Sequence, residues 1–155
     1  MESIPLNHPI SVTVPGAVAG WIELSKKYGN LKIEEILDLG IELCHEGFEI
    51  NEELYNSLNL HKEELSGQAS GYGFYRDNQP FETGKMIRRP QLGKTLELLK
   101  RNGLEYFYDS DITKSISSSV NGILSYDDLK NFKAEWKKPL HSKIYGFDGW
   151  TSPPS

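Results

Sequence analysis

The sequence predicts an α+β fold, mainly helical over residues 15–132 and extended over residues 132–155, within one unit of 155 residues. Three observations predict it. Apolar residues recur at three- and four-residue intervals through most of the chain. Gly, Pro, Asn and Ser stand where those runs should start and stop. Beyond residue 132 the pattern switches to alternation, with Phe132, Ala134 and Trp136 set between Lys133, Glu135 and Lys137.

Met1 to Thr13 reads as extended, since Pro9 biases His8 away from helix. Pro15-Gly16 is a turn. After it, Val18, Trp21, Ile22, Ser25 and Tyr28 fall at helical spacing, and Gly29 stops the run. A second helix carries Ile33, Ile36, Leu37, Leu43 and Cys44, with small Gly40 allowing a neighbour close approach. It should end at Gly47 in a left-handed conformation. Asn51 is a good N-cap, and Glu52 and Glu53 suit the positive end of a helix reaching about Leu58, with a further turn through Leu65.

Ser66 to Gly84 reads as a long ordered loop, because Tyr72, Phe74, Tyr75 and Phe81 need something to pack against. Pro90 opens the next helix, with a stripe of Leu92, Thr95, Leu96 and Leu99, and Asn102-Gly103 closes it. Tyr106-Phe107-Tyr108 leads into a helix bearing Ile112, Ile116 and Val120. Ser125-Tyr126-Asp127-Asp128 has the form of a capping box with Asp in place of Glu, starting a short helix with Leu129 and Phe132. The alternating 132–136 run is expected to pair with a second extended segment over 143–151.

Composition excludes several classes of function. The net charge is -5, and Lys and Arg are spread along the chain rather than gathered, so no nucleic-acid-binding patch is expected. An anionic membrane surface is disfavoured for the same reason, and no apolar run reaches the roughly 18 residues a span requires. Cys44 is the only cysteine and cannot form an internal disulfide.

The short motifs give no site. Gly93-Lys94-Thr95 resembles the end of a P-loop, but the required upstream glycine is Arg88 and the triplet sits inside a helix, so it reads as helix surface. Asp109-Ser110-Asp111 begins like an EF-hand loop, yet its sixth and twelfth positions are Lys114 and Val120, and helix N-capping explains the aspartates better. Gly71-Tyr72-Gly73 lacks the rest of a dinucleotide fingerprint. His8, His45, His61 and His141 share no ligand spacing, so no metal or cofactor is expected. Cys44 and His45 point about 100° apart on a helix and cannot serve as nucleophile and base; Cys44 is expected in the core. Ser115, Ser117, Ser118 and Ser119 have no nucleophile elbow. No catalytic, cofactor-binding or metal-binding residue is assigned.

An ordered series of segments says more. Val14-Pro15-Gly16-Ala17-Val18-Ala19-Gly20-Trp21 precedes Ile41-Glu42-Leu43-Cys44-His45-Glu46-Gly47-Phe48. Gln91-Leu92-Gly93-Lys94-Thr95-Leu96, Gly103 to Tyr108, and Gly122 to Leu129 follow. Trp136, Pro139, Tyr145-Gly146 and Ser152-Pro153-Pro154-Ser155 close the set. In this order the series resembles an interior part of the large subunit of gamma-glutamyltransferases, covering about Ser11 to Ser155.

The resemblance implies a fragment of an N-terminal-nucleophile hydrolase with an αββα sandwich. Such an enzyme cleaves its own precursor and exposes a threonine that attacks gamma-glutamyl amides, with its own α-amino group as base. It implies, as partners, the remainder of the large subunit, the small subunit, and a small gamma-glutamyl substrate. The threonine segment is expected downstream of Ser155 and a substrate-gripping arginine upstream of Val14, so this chain inherits no catalytic role. The Gly- and Tyr-rich 66–84 loop departs from the common family pattern, as in an acylase-like branch. A freestanding helical interaction module is the reading from another class. On either reading, an apolar patch left without its neighbours is expected, and with it self-association.

Overall fold

The computed structural model describes residues 4, 8–68 and 71–154. Residues 1–3 and 5–7 of the opening stretch, residues 69–70 of the expected loop, and residue 155 lie outside them. His8 is extended, as its following proline requires, but Pro9–Ser11 tighten into a 3-10 turn instead of continuing extended. The His8 ring caps that turn by accepting the Ile10 N–H at 3.2 Å.

Helix α1 (Ala17–Tyr28) starts after Gly16 and stops at Gly29. A Cβ on Gly16 would stand 3.1 Å from the Phe132 ring, so the glycine lets the later chain cross the helix entry. Helix α2 (Ile33–Glu46) opens with Glu34 and Glu35 in its first turn, where the helix dipole favours them. Gly47 ends it with φ 103° and ψ 170°. The positive φ matches expectation; the ψ does not, because the chain turns straight into β1 (Phe48–Glu49) rather than coiling back. A Cβ there would meet the Ile87 carbonyl oxygen at 2.9 Å.

Asn51 caps α3 (Glu52–Leu60) by accepting the Leu54 N–H at 2.8 Å, and α4 (Lys62–Leu65) adds one turn. The expected 66–84 loop contains a hairpin of β2 (Tyr75–Arg76) and β3 (Gln79–Pro80). Its two-residue turn is Asp77-Asn78, both at positive φ, the conformation that short polar side chains tolerate and tight hairpins demand. Strand β4 (Met86–Ile87) then pairs antiparallel with β1, Phe48 opposite Ile87.

Helix α5 (Pro90–Asn102) runs against α2, with the Cβ position of Gly40 3.5 Å from Leu96. Its buried members are Gly93 and Leu99, while Leu92, assigned to the inward stripe, is about half exposed. A 3-10 turn (Leu104–Phe107) leads to α6 (Asp111–Ser119), capped by Ser110 and Thr113 in a reciprocal box. Helix α7 (Tyr126–Lys130) has the expected Ser125–Asp128 capping box. The Asp128 carboxylate accepts the Ser125 N–H at 2.9 Å, and Ser125 Oγ accepts the Asp128 N–H at 3.1 Å.

The 132–136 run forms no strand, contrary to the expected pairing with 143–151. Its alternation has another cause: Phe132 and Ala134 pack on the main core, and Trp136 meets Tyr28 edge-on at 5.6 Å. The hairpin is instead β5 (Leu140–Ile144) with β6 (Phe147–Thr151), joined by Tyr145-Gly146, both at positive φ. A two-residue turn closes a local hairpin with far less loss of chain freedom than a return to residue 132 would require.

Three apolar clusters hold the chain. Val18, Ala19, Leu37, Leu99, Leu104 and Tyr108 join α1, α2, α5 and the 3-10 turn. Ile50, Leu58 and Ile87 form a second, covered by Phe74, Tyr75 and Phe81, so the aromatics of the 66–84 stretch do pack. Val120, Leu124 and Leu129 form the third. The architecture is α+β: helices with, among the described residues, three separate two-stranded ladders.

Candidate functional site

Each singled-out motif has a definite place. The Gly93-Lys94-Thr95 triplet is helical, but the expectation of plain helix surface fails for Gly93, which is buried beneath α2. A Cβ there would lie 2.8 Å from His45 Nε2 and 3.1 Å from Cys44 Cβ. The close approach lets His45 Nε2 meet Glu97 Oε1 at 2.9 Å, a link across α2 and α5 that sequence spacing did not reveal. Cys44 is in the core, 6% exposed, on the adjacent face, as expected.

The 109–111 aspartates divide. Asp111 sits in the first turn of α6, where it pairs with Lys114 at 2.9 Å. The cap itself is Ser110, so N-capping does not account for Asp109. Asp109 instead accepts a hydrogen bond from the Tyr126 hydroxyl and pairs with Lys130 at 3.1 Å, tying the start of α6 to α7. The Tyr126 hydrogen bond, then Lys130, hold its carboxyl below the usual range, while the same bond raises the Tyr126 phenol.

Tyr108 ties two distant backbone groups together in the core. Its hydroxyl accepts the Ala19 N–H at 3.0 Å and donates to the Pro15 carbonyl at 2.7 Å. One phenol thereby satisfies an orphan donor in the first turn of α1 and fixes the Pro15-Gly16 turn. Burial pushes its pKa up. Thr113, fully buried, donates to the Phe107 carbonyl and accepts the Ser110 N–H, each at 3.0 Å.

Chemically, these groups are fasteners. Cys44 and His45 lie on different faces, with His45 directed to Glu97. The α6 serines occupy a helix rather than a strained turn; Ser119 Oγ donates to the Ile116 carbonyl at 2.7 Å. Among the described residues, no three His, Cys, Asp or Glu side chains converge in an arrangement that could hold a metal ion. No described helix is long and apolar enough to cross a membrane.

Two parts of the outward surface are apolar. Between α1 and α2 runs an open groove of about 490 Å³ lined by Trp21, Leu24, Tyr28, Ile33, Ile36 and Leu37. The β5–β6 hairpin places Leu140, Ile144 and Phe147 on one face, all more than half exposed. Its other face carries His141 stacked on Trp150 at 4.2 Å and bonded to Asp148 at 2.7 Å.

The sequence model of the family described as Gamma-glutamyltranspeptidase matches residues 1–155. The chain is similar to the capsule biosynthesis protein CapD proenzyme of Bacillus anthracis, 30% identical over 148 residues, covering 96% of this chain and 28% of that protein. It is 26% identical over 145 residues to the glutathione hydrolase proenzyme of Escherichia coli strain K12, covering 90% of this chain and 25% of that one. Its structure superposes on a cephalosporin acylase from Bacillus halodurans with a TM-score of 0.85 at 26% identity, covering 97% of this chain and 30% of the acylase chain. The chain thus spans between a quarter and three tenths of these relatives.

Proposed function

The chain belongs to the gamma-glutamyltranspeptidase family, and from that premise we propose that residues 1–155 are a single structural segment of an enzyme that cleaves gamma-glutamyl amides of the glutathione kind. The acyl group passes to water or to an amino acid through an ester on a threonine oxygen, the leaving amine taking up a proton. The observation that carries this reading is the match of one family over the whole chain. The threonine belongs to the small subunit, and no residue of 1–155 takes part in the chemistry.

The segment's part is to build one portion of an αββα sandwich. The exposed apolar surfaces support this. An isolated two-stranded hairpin is marginal in water, and one flanked by Leu140, Ile144 and Phe147 is suited to further strands or a helix layer. The α1–α2 groove is of the same kind, so the remainder of the large subunit and the small subunit are the partners that cover both.

The test is an assay of the product of the complete reading frame with gamma-glutamyl-p-nitroanilide. Release of p-nitroaniline, sped by an added amino acid acceptor, is expected. A reading frame without a threonine-led segment, or a product inert to this amide, sinks the reading. A related acylase acting on a glutaryl or β-lactam side-chain amide is the second reading, favoured by the likeness to the cephalosporin acylase. Preference for a glutaryl amide over the gamma-glutamyl one selects it.

A further inference from the structure

Where β4 gives way to α5 lies a small pocket of about 190 Å³, walled by Tyr72, Arg88, Arg89, Pro90, Gln91 and Leu92. The only charged residues in that wall are the two arginines. Neither forms an ion pair among the described residues. Each side chain is nevertheless held in place. Arg88 Nε donates to the Glu46 carbonyl at 3.1 Å, and the Arg89 guanidinium carbon stands 4.6 Å from the Phe74 ring centroid. Gly73, at φ 90°, lets the chain beside Tyr72 lie against both. A Cβ there would be 3.8 Å from the Arg88 carbonyl oxygen and 3.9 Å from Arg89 Cδ. The terminal nitrogens of both guanidiniums have no acceptor among the described residues. Such planar forks suit the oxygens of a bound anion.

We propose that this pocket binds one phosphate group, free or carried on a small phosphomonoester. Charge selects it. Two cations without counter-charges are matched by a group bearing about -1.5 to -2 at pH 7, whereas a single carboxylate leaves one cation over. Size agrees, because the pocket is smaller than the roughly 300–1,000 Å³ of sites that enclose a whole drug-sized ligand. It takes the ionic group and leaves any attached body outside. The Tyr72 hydroxyl and the Gln91 amide are further donors in the same wall. These residues have no part in the enzymatic reading above, so the inference does not depend on it.

The test is equilibrium dialysis of the product of the complete gene against labelled inorganic phosphate, in chloride at constant ionic strength. Saturable binding is expected. Arg88→Gln and Arg89→Gln should each weaken it about threefold, the size of one exposed charge contact. Arg101→Gln, at the far end of α5, should leave it unchanged. The double lysine variant keeps both charges but loses the forks, and should bind between the parent and the double glutamine variant. The melting temperature of each variant in chloride separates a lost site from a lost fold. Competition by glycerol phosphate below the phosphate concentration assigns the site to an ester; weaker competition assigns it to the free ion. No saturable binding, or binding that the folded double variants keep in full, overturns the proposal.

Discussion

At the scale of single residues, Tyr108 shows how one hydroxyl organises a region. It is 6% exposed and bridges Ala19 and Pro15, groups about ninety residues away along the chain. Tyr108→Phe keeps the ring packing but leaves the buried Ala19 N–H without an acceptor, a loss of about 1–3 kcal/mol. Urea unfolding should record it as a lower midpoint with an unchanged slope; an unmoved midpoint would mean water replaces the hydroxyl. Asp109 gives a pH dependence with a definite sign. Its folded-state pKa is depressed, so the contribution is present above the unfolded value and is lost as pH falls through the folded one. Stability should therefore decline on acidification below about pH 4, the ordinary carboxylate range. Asp109→Asn should flatten that part of the profile, while a profile as steep as the parent's would assign the effect to Asp111 and Asp128, which are lowered too.

Among elements, the packing of α2 on α5 depends on two small residues, Gly40 and Gly93. Gly93→Ala brings a methyl to 2.8 Å from His45 Nε2, which must swing away from Glu97. Alanine gains about 1 kcal/mol of helix propensity, against about 1–3 kcal/mol for overpacking. A lower melting temperature is expected, and a higher one would show that the helices part without strain. The helices were legible in the sequence because each carries its own punctuation: Pro15-Gly16 and Gly29 for α1, Gly47 for α2, Asn51 for α3, and Ser125 with Asp128 for α7. The ladders were less so. β1 and β4 are two residues each, set by contacts almost forty residues apart, which no local period records. The alternation of 132–136 reported a strap lying on a core, since period two marks one buried side whether or not a ladder partner exists. Asp77-Asn78 and Tyr145-Gly146 are the hairpin turns that the expected 66–84 loop and the expected 132–136 pairing passed over, each a two-residue turn at positive φ. At the candidate site, Cys44 and His45 could be dismissed from helix geometry alone; the His45–Glu97 link could not be found, because it joins two helices.

For the whole molecule, exposed apolar surface stands out between α1 and α2. Trp21, Leu24, Tyr28 and Ile36 are all more than two-fifths exposed and line a groove that the described chain does not fill. Patches of this kind mark association surfaces. The isolated chain should self-associate, with a sedimentation coefficient that rises with concentration, and Leu24→Glu with Ile36→Glu should suppress it. A compact monomer at high concentration would contradict that expectation. The proposed function makes this chain one segment of a self-processed gamma-glutamyl enzyme. Its most direct test is the intact mass of the product expressed from the complete gene, read beside its activity on gamma-glutamyl-p-nitroanilide. Two chains from one precursor, the heavier containing residues 1–155 and the lighter beginning with threonine, are the predicted result. A single uncleaved species that leaves the amide intact would contradict the account.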